Sequence, residues 1–418
     1  MALVRNRKRA VITGMGVMSP LGKTVEEYWN GLIKGESGIG KITLCETKEF
    51  PSDIAGEVDD FDPGQYANPK ETRRMARFSQ MAVAAAATAI ENADLNLSVE
   101  DGTRLGVVMG NGNGGFPTTE DNSRVLFERG AMRMSPFFVP MILPNMAAAQ
   151  ISRIFGFRGY TNTVITACAA GNQAIGEAAE VIRRGAADVV LAGGCEAGIS
   201  RLGLGGFHVI KALSRYKGDP TRASRPFDAT RDGFVPAEGA GVLVMESLEH
   251  ALDREVDILA EILGYGVSSD AFHAVQPDEK GDGAARAIRL AIEDSGVEYS
   301  DIDYINAHGT STPLNDVSET KAIRSAFGKL ASQIPVSSTK SMIGHALGGA
   351  GAIEGVAVVK TIESGVIHPT INYENPDPLC DLDFVPNQAR VLKVKRALSN
   401  NFGFGGQNAC LVYGAFEA

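Results

Sequence analysis

The strongest constraint on the fold is an alternation of short apolar runs with helical patterns. Each apolar run has the length of a strand, and an amphipathic or charged stretch follows it. Buried strands that alternate with helices predict an α/β fold with a largely parallel sheet covered on both faces. The clearest apolar runs are AVITGMGVM (10–18), LGVVMGNG (105–112), TVITACAAG (163–171), ADVVLAGG (187–194) and EILGYGVSSD (261–270).

The second part of the chain repeats the order of the first. Strand-loop and strand-turn-helix segments recur in three matched pairs, although few residues are identical. We therefore expect one compact unit of two pseudo-symmetric halves, residues 1–255 and 256–418, with a site between them. The pairs are 105–115 with 302–312, 164–178 with 336–355, and 187–198 with 396–414.

Composition excludes several classes of function. The formal net charge of −10 argues against binding nucleic acid or an anionic membrane. The five cysteines are odd in number and form no C-x-x-C pair, which argues against a disulfide framework and a zinc site. The N-terminus has no apolar signal region, and no apolar run reaches about 18 residues. We expect a cytoplasmic protein.

Cys168 is the candidate nucleophile. It follows the β-branched run Thr163–Ile165 and precedes a helical pattern that Arg183, Arg184 and Gly185 would end. Free N–H groups and the positive dipole end at a helix N-terminus favour thiolate over thiol. A cysteine before a helix is also often a small buried hydrophobe, so this spacing alone leaves both interpretations open.

Two of the six histidines lie where strands end. His308 follows the strand-like segment IDYIN, and His345 precedes the helical stretch ALGGAGAIEG. The ends of strands are where α/β proteins place their sites, and both histidines have small or hydroxyl neighbours rather than core aliphatics. We predict that they belong to the same site as Cys168.

Four motifs, in order along the chain, make the prediction specific. The whole sequence resembles the elongating β-ketoacyl-acyl carrier protein synthases of dissociated fatty acid synthesis. The resemblance implies a thiolase-like fold of two similar halves in αβαβα layers, acting as a homodimer. The motifs are TACAAG with Cys168, NAHGTST with His308, KSMIGH with Lys340 and His345, and NFGFGG with Phe402 and Phe404.

The resemblance also implies the chemistry. Cys168 would carry the growing acyl group as a thioester. His308 and His345 would donate N–H bonds to the malonyl thioester oxygen and stabilise the enolate formed as CO2 leaves. The carbanion would then attack the acyl group and extend the chain by two carbons. No metal or cofactor is expected, because the phosphopantetheine arm arrives on an acyl carrier protein.

Further residues take their expected roles from the same resemblance. Backbone N–H groups of Cys168 and Phe404 would form the oxyanion hole, and the rings of Phe402 and Phe404 would gate the acyl pocket. The remaining expectations are a Lys340–Glu354 ion pair that fixes the histidines, hydroxyls of Thr310 and Thr312 that meet the phosphopantetheine arm, and Phe207 and Asn113 beside the acyl chain.

Because the carrier protein of this family is acidic, the tunnel mouth should be basic. The segment PKETRRMARFSQ (69–80) supplies arginines and a lysine, although such helix faces are often simply solvated. We expect docking through Lys70, Arg73, Arg74, Arg133 and Lys211, with Arg77 adding to the charge of the segment.

Two features depart from or qualify the family pattern. Asn113 stands where an apolar residue or glycine usually lines the acyl pocket, and a polar amide beside an alkyl chain is costly unless it is hydrogen-bonded. An unusual or shorter primer is therefore a hypothesis. Ala169, Ala170 and HGTST favour the fatty acid group, without excluding a stand-alone polyketide ketosynthase.

Four other functions compete. The loop GNGNGG (110–115) matches a dinucleotide fingerprint, but FPTTEDNS has no apolar helix start and Glu128 ends no strand. A cysteine hydrolase would need no second histidine. A degradative thiolase would need a second cysteine, for which Cys410 is poorly suited. A non-catalytic partner subunit that sets product length would lack the nucleophile.

Overall fold

The computed structural model describes residues 7–417. Its strands are β1 (Ala10–Met18), β2 (Ile39–Lys41), β3 (Ile54–Gly56), β4 (Leu105–Gly110), β5 (Thr161–Val164), β6 (Val189–Glu196), β7 (Gly239–Ser247), β8 (Ala260–Ser269), β9 (Tyr304–Asn306), β10 (Val336–Ser337), β11 (Val366–Ile367), β12 (Arg390–Val391), β13 (Arg396–Gly403) and β14 (Gln407–Gly414).

The helices alternate with these strands. They are α1 (Val25–Lys34), α2 (Pro69–Thr72), α3 (Arg77–Asn92), α4 (Phe116–Arg129), α5 (Phe138–Ile142), α6 (Met146–Phe155), α7 (Ala170–Arg183), α8 (Arg201–Val209), α9 (Leu248–Asp253), α10 (Asp282–Ser295), α11 (Pro313–Phe327), α12 (Lys340–Ile343) and α13 (Ala350–Ser364).

The central sheet shows the internal repeat directly. Its ten strands lie in the order β10-β9-β13-β14-β8-β1-β7-β6-β4-β5. The two ends match strand for strand, because β5, β4, β6, β7 and β1 occupy the places of β10, β9, β13, β14 and β8. Parallel and antiparallel pairings match as well. The predicted fold of two similar halves is confirmed, whereas the boundary near residue 255 stays a prediction.

The expectation of a largely parallel sheet is wrong. Only the outer strands of each half, β4 with β5 and β6, and β9 with β10 and β13, pair in parallel. The inner strands pair antiparallel. The turn between β13 and β14 shows the reason, because a connection of residues 404–406 is too short for the crossover that parallel neighbours need.

Five layers follow from the packing of the helices. α3 packs on β1 and β7 outside one half, and α10 packs on β8 and β14 outside the other. Between the halves, α7 contacts β4, β6 and β14, and α13 contacts β7 and β13. Residues 350–359 of α13 are all buried, as expected for a helix enclosed between the two halves of the sheet. Cys168 and His345 precede the two helices of this middle layer, α7 and α13, and His308 follows β9.

Among residues 7–417, no helix is both long and apolar enough to cross a membrane.

Candidate active site

Cys168 lies in a strained turn between β5 and α7. The turn spans Ala167–Ala169, and Ala167 has a φ of +49°, which is uncommon for a residue other than glycine. Leu347 occupies the matching turn before α13 with a φ of +42°. Strain of this kind persists where the surroundings fix it, and here it holds the cysteine at the end of the middle layer.

Gly403 lets β13 approach this turn closely. A Cβ at that position would lie 2.4 Å from the carbonyl oxygen of Thr166 and 3.3 Å from the backbone nitrogen of Cys168. Any larger residue would therefore push the NFGFGG strand away from the nucleophile. The motif thus places the next residue, Phe404, directly beside Cys168.

The structure brings Cys168, His308 and His345 together. The sulfur and one nitrogen of each imidazole lie within 4.8 Å of one another, and all three residues are buried. The imidazole centroids are 5.3 Å apart, with the rings nearly perpendicular at 83°. Two N–H donors can therefore converge beside one sulfur.

The hydrogen bonds distinguish the two imidazoles. Asn401 donates an amide N–H to Nδ1 of His308 at 3.3 Å, which leaves the His308 proton on Nε2. Neither ring nitrogen of His345 has a hydrogen-bond partner among the described residues. Both imidazoles therefore have an N–H available for a bound group.

Both histidines are neutral near pH 7. Burial lowers the pKa of His308 well below its usual value, and the charge on Lys340 and the neighbouring His345 lower it further. Burial and Lys340 have the same effect on the pKa of His345. Each imidazole can then donate one N–H without carrying a charge into the site.

A buried polar chain connects His308 to the middle layer. The ammonium of Lys340 contacts the carboxylate of Glu354, and both side chains are inaccessible to solvent. Asn401 donates to Oε2 of Glu354 at 2.8 Å as well as to His308. The chain Lys340–Glu354–Asn401 therefore fixes the imidazole of His308, and the charge on Lys340 helps to keep both histidines neutral.

Sequence reasoning missed three residues that shape the site: Asn401, Glu319 and Asp316. Glu319 accepts the backbone N–H groups of His308 and Gly309, each at 2.8 Å. Asp316 accepts the N–H of Thr310 at 3.1 Å. For Asp316 and Glu319 the sequence did contain a signal. Acidic residues three apart share one face of α11, and their carboxylates can accept the N–H groups of the preceding loop.

The expectation that the helix N-terminus stabilises the Cys168 thiolate is wrong for the site without substrate. Burial raises the pKa of Cys168 to about 12, against the lowering effects of Lys340 and of two backbone N–H groups. The helix N-terminus is present as predicted, but desolvation of the charged form outweighs it. The thiol therefore rests in its protonated form until a substrate arrives.

We expect the alkylation of Cys168 by iodoacetamide to show no plateau near neutral pH. Because the thiolate is the reactive form, the rate should rise about tenfold per pH unit from pH 7 to pH 9. Peptide mapping would separate this residue from Cys45, the one half-buried cysteine of the five. A rate that levels off below pH 8 would show an ion pair with a histidine and contradict this assignment.

Two backbone N–H groups lie near the sulfur. Those of Phe404 and of Cys168 itself both lower the pKa of the Cys168 thiol. A carbonyl oxygen on an acyl group attached at Cys168 would lie within reach of the same donors. The pair therefore has the arrangement of an oxyanion hole.

A cavity of about 520 Å³ leads from the surface to this centre. Cys168 and both histidines line its floor, and Phe402 and Phe404 line its wall. The other predicted lining residues are Thr310 and Thr312, whose hydroxyls are 2.8 Å apart, and Lys211 at the exposed end.

Four of the predicted catalytic and substrate-binding residues lie outside this cavity. Lys340 and Glu354 are buried behind the histidines. Phe207, on α8, packs against Phe404 with ring centroids 6.4 Å apart and belongs to the apolar cluster around Cys168. Asn113 lies on the loop between β4 and α4, beside Gly198.

The predicted docking residues are exposed. Lys70, Arg73, Arg74, Arg133 and Lys211 all present their side chains to solvent. Arg77 does not join this surface, because its guanidinium binds the buried carboxylate of Glu238 at 2.6 and 2.7 Å. The interpretation of Arg77 as part of a basic face is wrong, since a buried carboxylate needs a partner of opposite charge.

The segment after the glycine loop also differs from its prediction. Contrary to the sequence analysis, a helix does begin directly after GNGNGG, at Phe116. The loop is nevertheless occupied, because Gly112 and Asn113 donate their N–H groups to Glu196, and Gly114 donates to Asn111. These N–H groups are not free to bind a pyrophosphate, which excludes the use of the loop as a dinucleotide fingerprint.

Cys168, His308 and His345 are also the one set of ligating side chains that could hold a metal ion among residues 7–417. A sulfur and two imidazole nitrogens suit zinc. The positive charge of Lys340, which already lowers the pKa of both histidines, opposes a cation there. The electrostatics of the site therefore favour an anionic or carbonyl oxygen over a metal.

Two family profiles cover most of the chain. The N-terminal domain of beta-ketoacyl synthase matches residues 7–251, and the C-terminal domain matches residues 259–374. The 3-oxoacyl-[acyl-carrier-protein] synthase 2 of Synechocystis sp. is 47% identical over 411 residues, 98% of this chain and 99% of the relative. The protein of the same name from Staphylococcus aureus (strain COL) is 46% identical over 411 residues, with the same coverage.

The chain is also similar in structure to solved ketosynthases. The ishigamide ketosynthase/chain length factor superimposes with a TM-score of 0.92 at 40% identity, covering 98% of this chain and 100% of that one. A type II PKS acyl-carrier protein in complex with its ketosynthase gives a TM-score of 0.91 at 36% identity, with the same coverage.

Proposed function

The chain belongs to the β-ketoacyl synthase family, and from that membership we propose how its residues carry out the condensation. It joins an acyl thioester to malonyl-acyl carrier protein with loss of CO2 and gives a β-ketoacyl-acyl carrier protein two carbons longer. The observation that carries the assignment of residues is the convergence of Cys168, His308 and His345 within 4.8 Å.

Cys168 accepts the acyl group. Its sulfur attacks the thioester carbonyl of the acyl carrier, the proton of the thiol passes to the departing carrier thiol, and an acyl-Cys168 thioester remains. The negative oxygen that forms on the way accepts the N–H groups of Cys168 and Phe404. Donors fixed before the reaction stabilise such an oxygen more than water does.

The histidines then act on the second substrate. The malonyl thioester oxygen accepts one N–H from His308 and one from His345. When the bond to the carboxylate breaks, CO2 leaves and the electron pair forms an enolate on that oxygen. Neutral donors suit this step, because a charged imidazole would be at risk of protonating the carbanion.

The enolate carbon attacks the acyl-Cys168 carbonyl. A carbon–carbon bond forms, the thioester bond to Cys168 breaks, and the sulfur leaves as a thiolate that takes up a proton. Phe402 and Phe404 flank the path of the chain and exclude water. The Lys340–Glu354–Asn401 contacts position His308 throughout, without touching the substrate.

A second candidate is a stand-alone polyketide ketosynthase. The structural neighbours that include polyketide and chain-length-factor complexes favour it, as does the amide of Asn113 in a loop that should be apolar. The chemical steps would be the same and only the acyl chain would differ. A non-catalytic partner subunit is not supported, because the nucleophile is present.

An acyl carrier protein is the proposed partner, bound at the exposed basic residues Lys70, Arg73 and Arg74. Reversing all three charges to glutamate should raise the KM for the carrier substrate by about tenfold at low salt. The kcat with malonyl and acyl groups on free pantetheine should stay unchanged. Steady-state kinetics at several salt concentrations would measure both, because screening weakens exposed charge pairs.

The matched control reverses the same number of charges at Lys329, Lys393 and Lys395, which are also exposed but lie on the other half of the molecule. That variant should leave the KM for the carrier unchanged. An equal rise in both variants would reveal an effect of net charge alone and remove the proposed docking surface.

We also propose that the chain pairs with a second copy. Strand β5 is short and lies at the edge of the sheet, and the apolar side chain of Ile165, which follows it directly, is 56% exposed. Pairing of the β5 strands of two copies would cover both the open edge of the sheet and the exposed apolar surface. Sedimentation of the purified chain as a 44.2 kDa monomer at micromolar concentration would contradict this proposal.

We further propose that the enzyme works in the cytoplasm and needs no cofactor beyond the phosphopantetheine of its carrier. The simplest test of the whole assignment uses purified protein, octanoyl-acyl carrier protein and malonyl-acyl carrier protein. Mass spectrometry of the carrier should show a β-keto chain extended by two carbons. If neither this nor shorter or longer acyl chains are extended by a correctly folded protein, the proposed function fails.

A further inference from the structure

Hydrogen bonds fix the backbone of the loop that carries Asn113. The buried carboxylate of Glu196 accepts the N–H of Gly112 at 3.0 Å, that of Asn113 at 3.3 Å and that of Gly348 at 3.2 Å. Glu196 therefore ties this loop to the turn before α13. The next N–H, from Gly114, is taken by Asn111 at 2.7 Å. The N–H groups of residues 112–114 are therefore all hydrogen-bonded, which holds this part of the loop in place.

The side chain of Asn113 is left without a partner. Its Nδ2 is shielded from solvent and has no hydrogen-bond acceptor among residues 7–417. Gly198 provides the room for it, since a Cβ there would lie 3.0 Å from Nδ2. An unpaired buried N–H donor costs free energy, so a structure that fixes one is prepared for an acceptor.

This amide lies near the apolar cluster around Cys168, which we take as the path of an acyl chain attached to that sulfur. The cluster contains Cys168, Leu204 and Leu347. Gly348, which follows Leu347, shares the carboxylate of Glu196 with the backbone of Asn113. Helix α8, which carries Leu204, begins just after Gly198. Asn113 thus lies one layer of residues beyond the cluster that surrounds the nucleophile.

We propose that Asn113 selects acyl chains that carry an oxygen, by donating its amide N–H to a carbonyl or hydroxyl oxygen on the chain. The inference rests on the proposed condensation and names the acyl substrate class of the same site. An oxygenated chain satisfies the donor, whereas a plain alkyl chain at the same position leaves it unpaired. Selectivity follows because unpaired polar groups penalise the wrong substrate.

The test compares primers of equal length on the carrier protein. One is a saturated alkyl chain, and the others carry a single keto or a single hydroxyl group, moved along the chain one carbon at a time. We expect one position to raise kcat/KM over the saturated primer by about tenfold. A larger effect in the keto series would indicate polyketide-like acyl substrates. A larger effect in the hydroxyl series would indicate hydroxyacyl substrates.

Replacing Asn113 with leucine, which has a similar volume, should reverse the preference and make the saturated primer the better substrate. The control is Asn96→Leu, the same change on an exposed loop after α3, which should keep the wild-type ratio. Melting temperature and sedimentation of each variant test folding and assembly.

The outcomes separate this inference from the proposed function. If the saturated primer is extended as well as every oxygenated one, and Asn113→Leu leaves that ratio unchanged, the inference is wrong while the condensation stands. If Asn113→Leu weakens dimerisation without altering primer choice, the amide binds the second copy and the inference is also wrong. If no primer is extended at all, the proposed function itself has failed.

Discussion

Cys168→Ala should lose condensation by at least about a thousandfold while malonyl-acyl carrier protein is still decarboxylated. The acyl group can be held for attack only through the sulfur, so its removal leaves no covalent intermediate. The enolate forms at His308 and His345, whose N–H groups do not depend on the thiol. Acetyl-acyl carrier protein should therefore accumulate where the wild type gives the extended product.

Mass spectrometry of the carrier follows both products in the same reaction. Cys195→Ala is the matched control, because Cys195 is also buried but lies on β6, where Asn111 contacts its sulfur and carbonyl oxygen. That variant should condense normally. Extension by Cys168→Ala at more than a few per cent of the wild-type rate would mean that another residue, or direct attack on the carrier-bound acyl group, makes the bond.

His308→Ala and His345→Ala should each lower malonyl decarboxylation by about 100- to 1,000-fold, the usual effect of removing one donor from such a site. The double variant should be little worse than either single one, because the two donors act as a unit on one oxygen. Acyl transfer to Cys168 should survive in each variant, since that step uses the backbone N–H groups of Cys168 and Phe404. Intact-protein mass would detect the acyl adduct.

The pH dependence of decarboxylation tests the charge of the two histidines. Burial and Lys340 hold both pKa values well below the usual range, so the active neutral form persists as the pH falls. We expect a constant rate from pH 8 to pH 6.5, with a loss only at lower pH. A rate that rises as the pH falls through 6.5 would mean that charged imidazoles do the work and would overturn this part of the mechanism.

Conservative variants distinguish a residue that donates an N–H to the substrate from one that only positions a histidine. His345→Asn keeps one N–H and should recover part of the rate lost in His345→Ala. Asn401→Leu removes the contacts to both His308 and Glu354 and should lower decarboxylation without abolishing it.

The repeated strand and helix pattern was sufficient to predict an α/β fold of two similar halves, because each apolar run had to be buried and its order recurred in both halves, whereas the thiolase-like layers were predicted from the family resemblance. Cys168, His308 and His345 could be proposed because each sits where a strand ends. The family resemblance added Lys340, Glu354 and Phe404, which composition and spacing alone would not have singled out.

Other features depend on three-dimensional contacts that local patterns do not contain. Strand direction is set by which strands become neighbours, so the antiparallel centre of the sheet was missed. The partners of Asn401 are side chains 93 and 47 residues away in sequence, those of His308 and Glu354. The pKa of Cys168 depends on how completely the halves enclose it, and burial there outweighs the helix N-terminus.

The most direct measurement is a single turnover of acyl-enzyme. The protein is first incubated with octanoyl-acyl carrier protein, separated from the carrier, and mapped to locate the octanoyl group. Malonyl-acyl carrier protein is then added. We predict an octanoyl thioester on Cys168 alone, which disappears as one CO2 is released and one β-keto chain, two carbons longer, appears on the carrier. An adduct on another residue, or release of free octanoate without a new carbon–carbon bond, would contradict the account.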